Sequence, residues 1–407
     1  MRRSPADDNS NAPINALLKL IRKTAYNCLT FVIKNANFLN KKILVSVISD
    51  IVTDQRVQKE CNTFHNMGYT VLLIGRKSRN TFLLNEFPYR IIRFGNPFRK
   101  GPFMYLVFNI QLFFYLLFKK ADVLWSNDLD TLLPNFLISR LRGIKVVYDS
   151  HEYFTLSVYK KTSRKLWEIL EKLLFPRVKN VITVNNSIKQ VYEAKYKVPV
   201  TVVRNVPYLS PATGDAAEVN LSAGKKILVM QGMGLNENRG AEEAVLAMQY
   251  LPDIFNLYFI GSGTILNMLK KMVIDLKLSH KVTFIDVLPY KQMLQYTRKC
   301  FLGLIFEKIH STDQHLFALP NKFFDYLHAG IPVLSSKAVE VKVIIDKYQV
   351  GDFIDSFEPD KIAEKIIEIS NNKELYSLWK HNTLLASEEL NWQHEEKILI
   401  NFMQHLL

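Results

Sequence analysis

Two stretches of the chain put cations and a carboxylate where an anionic, hydroxyl-bearing ligand could be held. In Leu319–Ser336 a polar row, Asn321, Lys322 and Asp325, stands at the start of a segment whose Phe323, Phe324, Tyr326 and Leu327 make an apolar helical face. Pro320 and Asn321 open that helix, Gly330 with Pro332 closes it, and Val333-Leu334 begins a buried strand. The row also fits plain capping with one solvated Asp. In Gln231–Gly240 a glycine-rich turn containing Gly232 follows an apolar run and ends in Arg239-Gly240, which opens a helix. Unpaired N–H groups at a helix start attract phosphate, and an Arg beside them adds a fixed charge. Alone, that arrangement reads equally as a solvated Arg next to a turn glycine, and Gly261-Ser-Gly263 as a tight turn.

A second set of polar residues follows strand ends in the first half. Asp54 and Arg56 lie on the first strand-to-helix loop. Asp128 belongs to Ser126-Asn-Asp-Leu-Asp130, and His151 and Glu152 to Asp149-Ser-His-Glu-Tyr-Phe154. Ligands bind outside the carboxyl ends of strands in open α/β sheets, which makes these residues candidates. Asp128-Leu-Asp130 matches a bare Asp-x-Asp pattern but leads into a helix, so Asp130 is expected to cap it and no metal site is assigned.

The elements that must position these residues alternate along the chain. Residues 42–49 read as a buried strand, 56–67 as a helix ending at Gly68, and 69–75 as a second strand. Strands near 90–94, 122–125, 144–148, 178–184 and 200–204 alternate with helices at 103–118, 131–141, 165–175 and 187–195. Residues 206–224, rich in Pro, Ser, Ala and Gly, form a linker. A second such unit follows: strands at 226–230, 256–260, 281–285, 302–305 and 332–335, with helices between them and at 338–346, 359–370 and 373–389. The apolar 103–118 segment reads as a buried helix, with a membrane-dipping helix as the alternative.

Composition narrows the classes. The 407 residues carry a formal net charge of +15, which favours an anionic partner. The basic residues are scattered, which argues against nucleic acid. Three cysteines without paired spacing argue against disulfides or a zinc site and fit a reducing compartment. No Gly-x-Gly-x-x-Gly follows a strand, disfavouring a dinucleotide cofactor. The polar N-terminus is not expected to be a cleaved signal, and no uninterrupted apolar run is long enough to span a bilayer. Residues 14–38 show helical apolar spacing with Lys19, Arg22, Lys23 and Lys34, fitting either an anionic membrane surface or an extra packed helix.

The stretch Asn321–Val333, with its acidic residue followed by Ala-Gly-x-Pro-Val, resembles the nucleotide-sugar-binding segment of the GT-B glycosyltransferases of family four. Ile182-Thr-Val-Asn-Asn-Ser187 and Val202-Val-Arg-Asn205 resemble the end of that family's first domain. The resemblance covers about residues 42–405. It implies an α/β GT-B architecture: two Rossmann-like, doubly wound domains facing a cleft. On that basis the expected organisation is an amphipathic extension (1–40), an acceptor-side domain (41–205), the linker (206–224), a donor domain (225–389) and a C-terminal helix returning to the first domain (390–407).

The resemblance also implies roles. Asp325 stands where the family has the residue holding the nucleotide ribose, normally a Glu. Arg239, Gly232 and Gly240 lie where the donor pyrophosphate is contacted, Gly261 and Gly263 where a Gly-x-Gly turn lines the donor pocket, and Asn321 and Lys322 at the head of the ribose-binding helix. His151 matches a His near the transferred sugar, oriented by Asp149 or Glu152. The expected catalytic set is His151, Arg239 and Lys322; the expected acceptor side is Asp54, Arg56, Asp128 and Glu152. The chain departs from the family at Phe317, where a second Glu is usual. The implied activity is transfer of a sugar from a nucleotide diphosphate sugar to a hydroxyl of a glycan or glycolipid, retaining and metal-independent, in cell-surface polysaccharide or glycolipid synthesis. The nucleotide sugar is a substrate; no cofactor is expected. The expected location is cytoplasmic, peripheral at the inner face of the plasma membrane. Two alternatives stay open: a catalytically weak nucleotide-sugar-binding partner subunit, and a sugar-nucleotide epimerase of the same architecture.

Overall fold

The computed structural model describes residues 40–49, 51–52, 54–77, 87–157, 161–209, 221–222, 224–309 and 316–406. The amphipathic segment expected at 14–38 and most of the expected linker lie outside the described residues.

Apolar runs such as Ile43-Leu-Val45 and Leu257-Tyr-Phe259 are buried along their whole length, the pattern of parallel strands covered on both faces. In chain order the first sheet is built from β1 (Lys42–Ser46), α1 (Gln55–Asn66), β2 (Thr70–Arg76), β3 (Arg90–Phe94), α2 (Pro102–Phe118), β4 (Val123–Asn127), α3 (Leu129–Arg142), β5 (Lys145–Ser150), α4 (Phe154–Ser157), α5 (Lys161–Leu174), β6 (Asn180–Thr183), α6 (Asn186–Tyr196) and β7 (Val200–Val202). Its strand order is β3-β2-β1-β4-β5-β6-β7. The second sheet opens with β8 (Lys226–Gly232), α7 (Ala241–Ala247), β9 (Phe255–Gly261), α8 (Leu266–Asp275), β10 (Val282–Ile285) and α9 (Tyr290–Arg298). It continues through β11 (Leu302–Ile305), α10 (Asn321–Ala329), β12 (Val333–Ser335), α11 (Val339–Tyr348) and β13 (Gly351–Phe353), and α12 (Pro359–Asn371), α13 (Lys373–Glu389) and α14 (Trp392–Leu406) complete the chain. Its order is β10-β9-β8-β11-β12-β13. Both sheets are doubly wound, as expected, and in the second the order reverses between β8 and β11, where such sheets hold ligands.

By compactness the chain divides into Met1–Ser126 with Leu137–Val146, and Asn127–Phe136 with Val147–Leu407. In the first unit Trp125 is fully buried, its ring edge-on to Phe64 at 4.7 Å and its indole N–H donating to Glu60. In the second unit two apolar clusters cover the faces of the β8–β13 sheet, one around Phe259, Phe306 and Ile362, the other around Phe323, Tyr326 and Val341.

Several expectations change. β4 and β5 run further than expected, so Asn127, Asp149 and Ser150 are strand residues whose polar side chains cluster at the strand ends. Asp130 does not cap α3: the helix starts at Leu129, and Asp128 precedes it in the left-handed region at φ 58°. The short edge strand β13 was not anticipated, because Gly351-Asp-Phe carries little strand signal. It is held by register: a Cβ at Gly351 would lie 1.9 Å from the Val333 carbonyl oxygen. Helix α2 is not the buried helix expected; only Met104, Phe108, Leu112 and Leu116 are buried. No described helix is long and apolar enough to cross a membrane.

Candidate active site

The site grows from the ends of β8 and β11 at the reversal of the second sheet. After β8 the chain turns through Gly232, and the turn packs backbone-to-backbone on the one after β9: the Ser262 N–H donates to the Gly232 carbonyl and the Leu235 N–H to that of Ser262. Gly261 allows this approach, since a Cβ there would stand 2.1 Å from the Gly232 oxygen, and a Cβ at Gly263 would meet the Leu235 oxygen. Arg239 and Gly240 then lead into α7. Gly240 adopts φ 66°, with Phe306 against the place its Cβ would take.

The first turn of α7 carries Glu242 and Glu243, so the positive helix end already faces carboxylates. The cationic character here therefore rests on Arg239. Its Nη1 donates to Glu307 Oε1 at 3.1 Å, and Glu307 is 2% exposed. Lys322, in the first turn of α10, is also buried. Burial pushes its ammonium below the ordinary lysine range; the Glu307 charge opposes this and the Arg239 charge adds to it. Arg239 thus pairs directly with a buried carboxylate whose charge also acts on Lys322. Glu307 was not anticipated. The signal that would have found it is the one used for His151: a charged residue just beyond a buried strand.

His151, Glu152, Arg239, Glu307 and Phe317 line one cavity of about 150 Å³, together with Asn185. The Asn185 amide donates to the Phe317 carbonyl at 3.0 Å, so Phe317 sits in the wall at the place where the resemblance implies a Glu. The His151 imidazole is gripped at both nitrogens. Nε2 lies 3.0 Å from Asp149 Oδ2 and 3.0 Å from Asn127 Oδ1, and Nδ1 lies 3.4 Å from Asp128 Oδ2. The His151 backbone N–H also donates to Asp128 Oδ1 at 2.9 Å. The second orienting carboxylate is thus Asp128, where Glu152 had been the alternative. Burial raises the Asp128 carboxyl to about 6, with the His151 charge pulling the other way.

Asp325 is buried on α10 and outside that cavity's lining. Its Oδ1 accepts from the Tyr290 hydroxyl at 2.9 Å and its Oδ2 from the Gln231 amide at 3.3 Å. Gln231 in turn accepts from Thr297 at 2.6 Å. Burial first, then the Asp325 charge, raises the Tyr290 hydroxyl far above the usual tyrosine value, so it remains a donor. Asn321 is exposed at the head of the same helix. In the first unit Asp54 caps α1, accepting from the Val57 N–H and from the Ser49 hydroxyl. Arg56 is 1% exposed and bonded to Glu60 at 3.2 Å, so its side chain is committed inside that unit.

A family model for Glycosyltransferase Family 4 matches residues 55–206, and one for Glycosyl transferases group 1 matches residues 214–384. Among solved structures, a sucrose-phosphate synthase from Thermosynechococcus elongatus superposes at TM-score 0.73 with 15% identity, covering 90% of this chain and 99% of that one. HepE from Anabaena, solved with UDP and glucose, gives 0.71 at 14% identity, covering 90% and 100%. WaaG, a glycosyltransferase involved in lipopolysaccharide biosynthesis, gives 0.68 at 12% identity, covering 88% and 98%. Among curated protein sequences nothing matches. At such identities the structural likeness carries the fold, and the two family models carry the assignment: the chain belongs to the group 1, family four glycosyltransferases and has their GT-B architecture.

Proposed function

We propose that this glycosyltransferase moves a sugar from a nucleoside diphosphate sugar to a hydroxyl of a glycan or lipid-linked acceptor. The observation that carries the reading is Arg239 bonded to the buried Glu307 in the cavity that His151 lines, with the buried Lys322 feeling the charges of both. The buried carboxylate bonded to Arg239 stands in for the anion such a site is made to hold. A donor diphosphate would take over the Arg239 hydrogen bond and attract the Lys322 ammonium, and both interactions strengthen as negative charge builds on the leaving phosphate. In the transfer, the sugar–oxygen bond to the diphosphate breaks with its electrons going to the phosphate. The acceptor oxygen bonds to the same carbon and its proton passes to the departing diphosphate. With two protein cations on the leaving group, the reading is metal-independent; retention of anomeric configuration is part of it by family likeness. HepE was solved with UDP-glucose, which favours a uridine donor as the first to test.

The donor set in this reading is Gly232, Arg239, Gly240, Gly261, Gly263, Asn321, Lys322 and Asp325, with His151 at the reacting sugar. Asp128 and Glu152 belong to the acceptor side, with Asp54 shaping the first loop and Arg56 holding it from inside. The enzyme works peripherally at the inner face of the plasma membrane, in cell-surface glycan synthesis; its +15 charge supports attraction to anionic lipid.

Calorimetric titration with UDP tests the reading. Arg239→Ala and Lys322→Ala should each weaken binding by about 1.5–3 kcal/mol while the fold survives. Unchanged affinity in both variants sinks it. His151→Ala should instead lower turnover with donor affinity nearly intact. Product analysis with acceptor omitted separates transfer from epimerisation.

A further inference from the structure

Helix α2 has no polar face. One side is buried through Met104, Phe108, Leu112 and Leu116. The opposite side presents Phe103, Leu106, Ile110, Phe114 and Phe118, all between 49% and 78% exposed. These five follow steps of three and four residues, so they form one stripe roughly 22 Å long at about 1.5 Å per residue. The two polar residues within the helix are turned to the backbone: Asn109 donates to the Tyr105 carbonyl and Gln111 to that of Gly95. An exposed stripe of this kind marks a binding surface.

Charge says what covers it. Arg99 and Lys100 precede the helix and Lys119 and Lys120 follow it, all exposed, and no Asp or Glu occurs from residue 88 to 121. A second copy laid along the stripe would set cation pair against cation pair, whether the helices ran parallel or antiparallel. An anionic lipid surface suits both ends at once: phosphates meet the cations and acyl chains meet the stripe. The C-terminal end is prepared for water-poor surroundings, because the Arg142 guanidinium donates to the Leu116 and Lys119 carbonyls at 2.9 and 2.5 Å. Leu137 and Leu141 of α3 add exposed apolar area on the helix that carries Arg142.

We infer that α2 is a monotopic docking element that lies in the plane of an anionic bilayer, with its Phe103–Phe118 stripe among the acyl chains and the flanking cations on the headgroups. This deepens the membrane reading above by naming the surface and the lipid class, and it needs neither donor nor acceptor to be tested.

The full chain is sedimented with vesicles of phosphatidylglycerol mixed with phosphatidylcholine, and with phosphatidylcholine alone. Wild type should bind the mixed vesicles, and Ile110→Glu with Phe114→Glu should lower that binding more than about tenfold. Lys119→Gln with Lys120→Gln should lower it about tenfold or more without changing helix content, as surface lysines near anionic lipid do. UDP affinity in the same variants should match wild type, so a failed docking element and a failed donor site give different results. Equal binding to both vesicle types, or undiminished binding by the stripe variant, overturns the inference. So does loss of binding on deleting residues 1–38 while the stripe variant still binds, or a wild-type dimer that the stripe variant dissolves without loss of vesicle binding.

Discussion

His151 shows how a side chain that a sequence marks only as polar acquires a defined setting. Both ring nitrogens face carboxylates, so the ring cannot turn without breaking two contacts. One of those carboxylates, Asp128, titrates abnormally, raised from 3.8 to about 6 chiefly by burial. Between those values the folded protein holds a proton that the unfolded chain has released. Stability therefore falls as pH rises through that window, and the cost is complete above it. Asp128→Asn fits the left-handed backbone and keeps an acceptor for the His151 N–H. It should flatten the fall in thermal stability between those two pH values and leave the variant more stable above them by on the order of 1–3 kcal/mol. Part of the slope should survive, because burial also raises Asp130. Melting curves across the window check this; an unchanged slope would show that Asp128 keeps an ordinary carboxyl.

Asp325 makes a second residue-scale test. Its two oxygens already accept from Tyr290 and Gln231, yet an ionised carboxylate has room for about four hydrogen bonds. A ribose would take the place of the Tyr290 hydroxyl. Asp325→Asn should cost about 1–3 kcal/mol in UDP affinity. Tyr290→Phe should cost less, or tighten binding, because it vacates one oxygen. If the 2′,3′-dideoxy nucleotide loses as much affinity in Asp325→Asn as in wild type, the carboxylate does not hold the ribose.

At the scale of elements, the site depends on how closely β8, β9 and β11 bring their following turns together. Gly240 is the joint between Arg239 and the segment after β11 that carries Glu307. Its backbone is left-handed, and a methyl group there would stand 2.3 Å from Phe306 Cβ and 2.7 Å from the Phe306 carbonyl oxygen. One of those neighbours is backbone and cannot swing aside. Gly240→Ala should lower stability by on the order of 1–3 kcal/mol and displace Arg239 from Glu307. Denaturant unfolding with UDP titration would report both effects, and a variant of wild-type stability and affinity would contradict the role given to this joint. Helix α10 is secured differently. Gly330 at φ 74° closes it while the Ile331 N–H reaches the Tyr326 carbonyl, and its Tyr326 hydroxyl donates to Val229 of β8. That bond ties the helix holding Lys322 and Asp325 to the strand that leads to Arg239.

At the scale of the molecule, the chain ends by returning to the segment after β7. Trp392 is fully buried, its backbone N–H donates to the Pro207 carbonyl, and Glu395 accepts from both the backbone and the guanidinium of Arg204. Helix α14 also buries Leu399, Met403 and Leu406. Trp392→Ala should therefore destabilise the protein by about 3–5 kcal/mol, measured by denaturant unfolding. A loss under about 1 kcal/mol would mean that the terminal helix is only loosely attached.

The residues by themselves determined the alternation of strand and helix and the two doubly wound units, and they singled out Arg239, Gly240, Lys322 and Asp325 as candidates. Those features are local: buried parallel strands must be continuously apolar, and a turn or helix end demands its Gly or Pro within a few positions. The partnerships were decided only by the tertiary structure. Nothing near Arg239 in sequence points to Glu307, which is 68 residues away, nor anything near Asp325 to Gln231, 94 residues away. Asp128 joins His151 across 23 residues because β4 and β5 end side by side. For α2 the sequence left a buried and a membrane-dipping helix both open, because an apolar run reads alike in either, and only the packed neighbours reveal that one whole face was left outside.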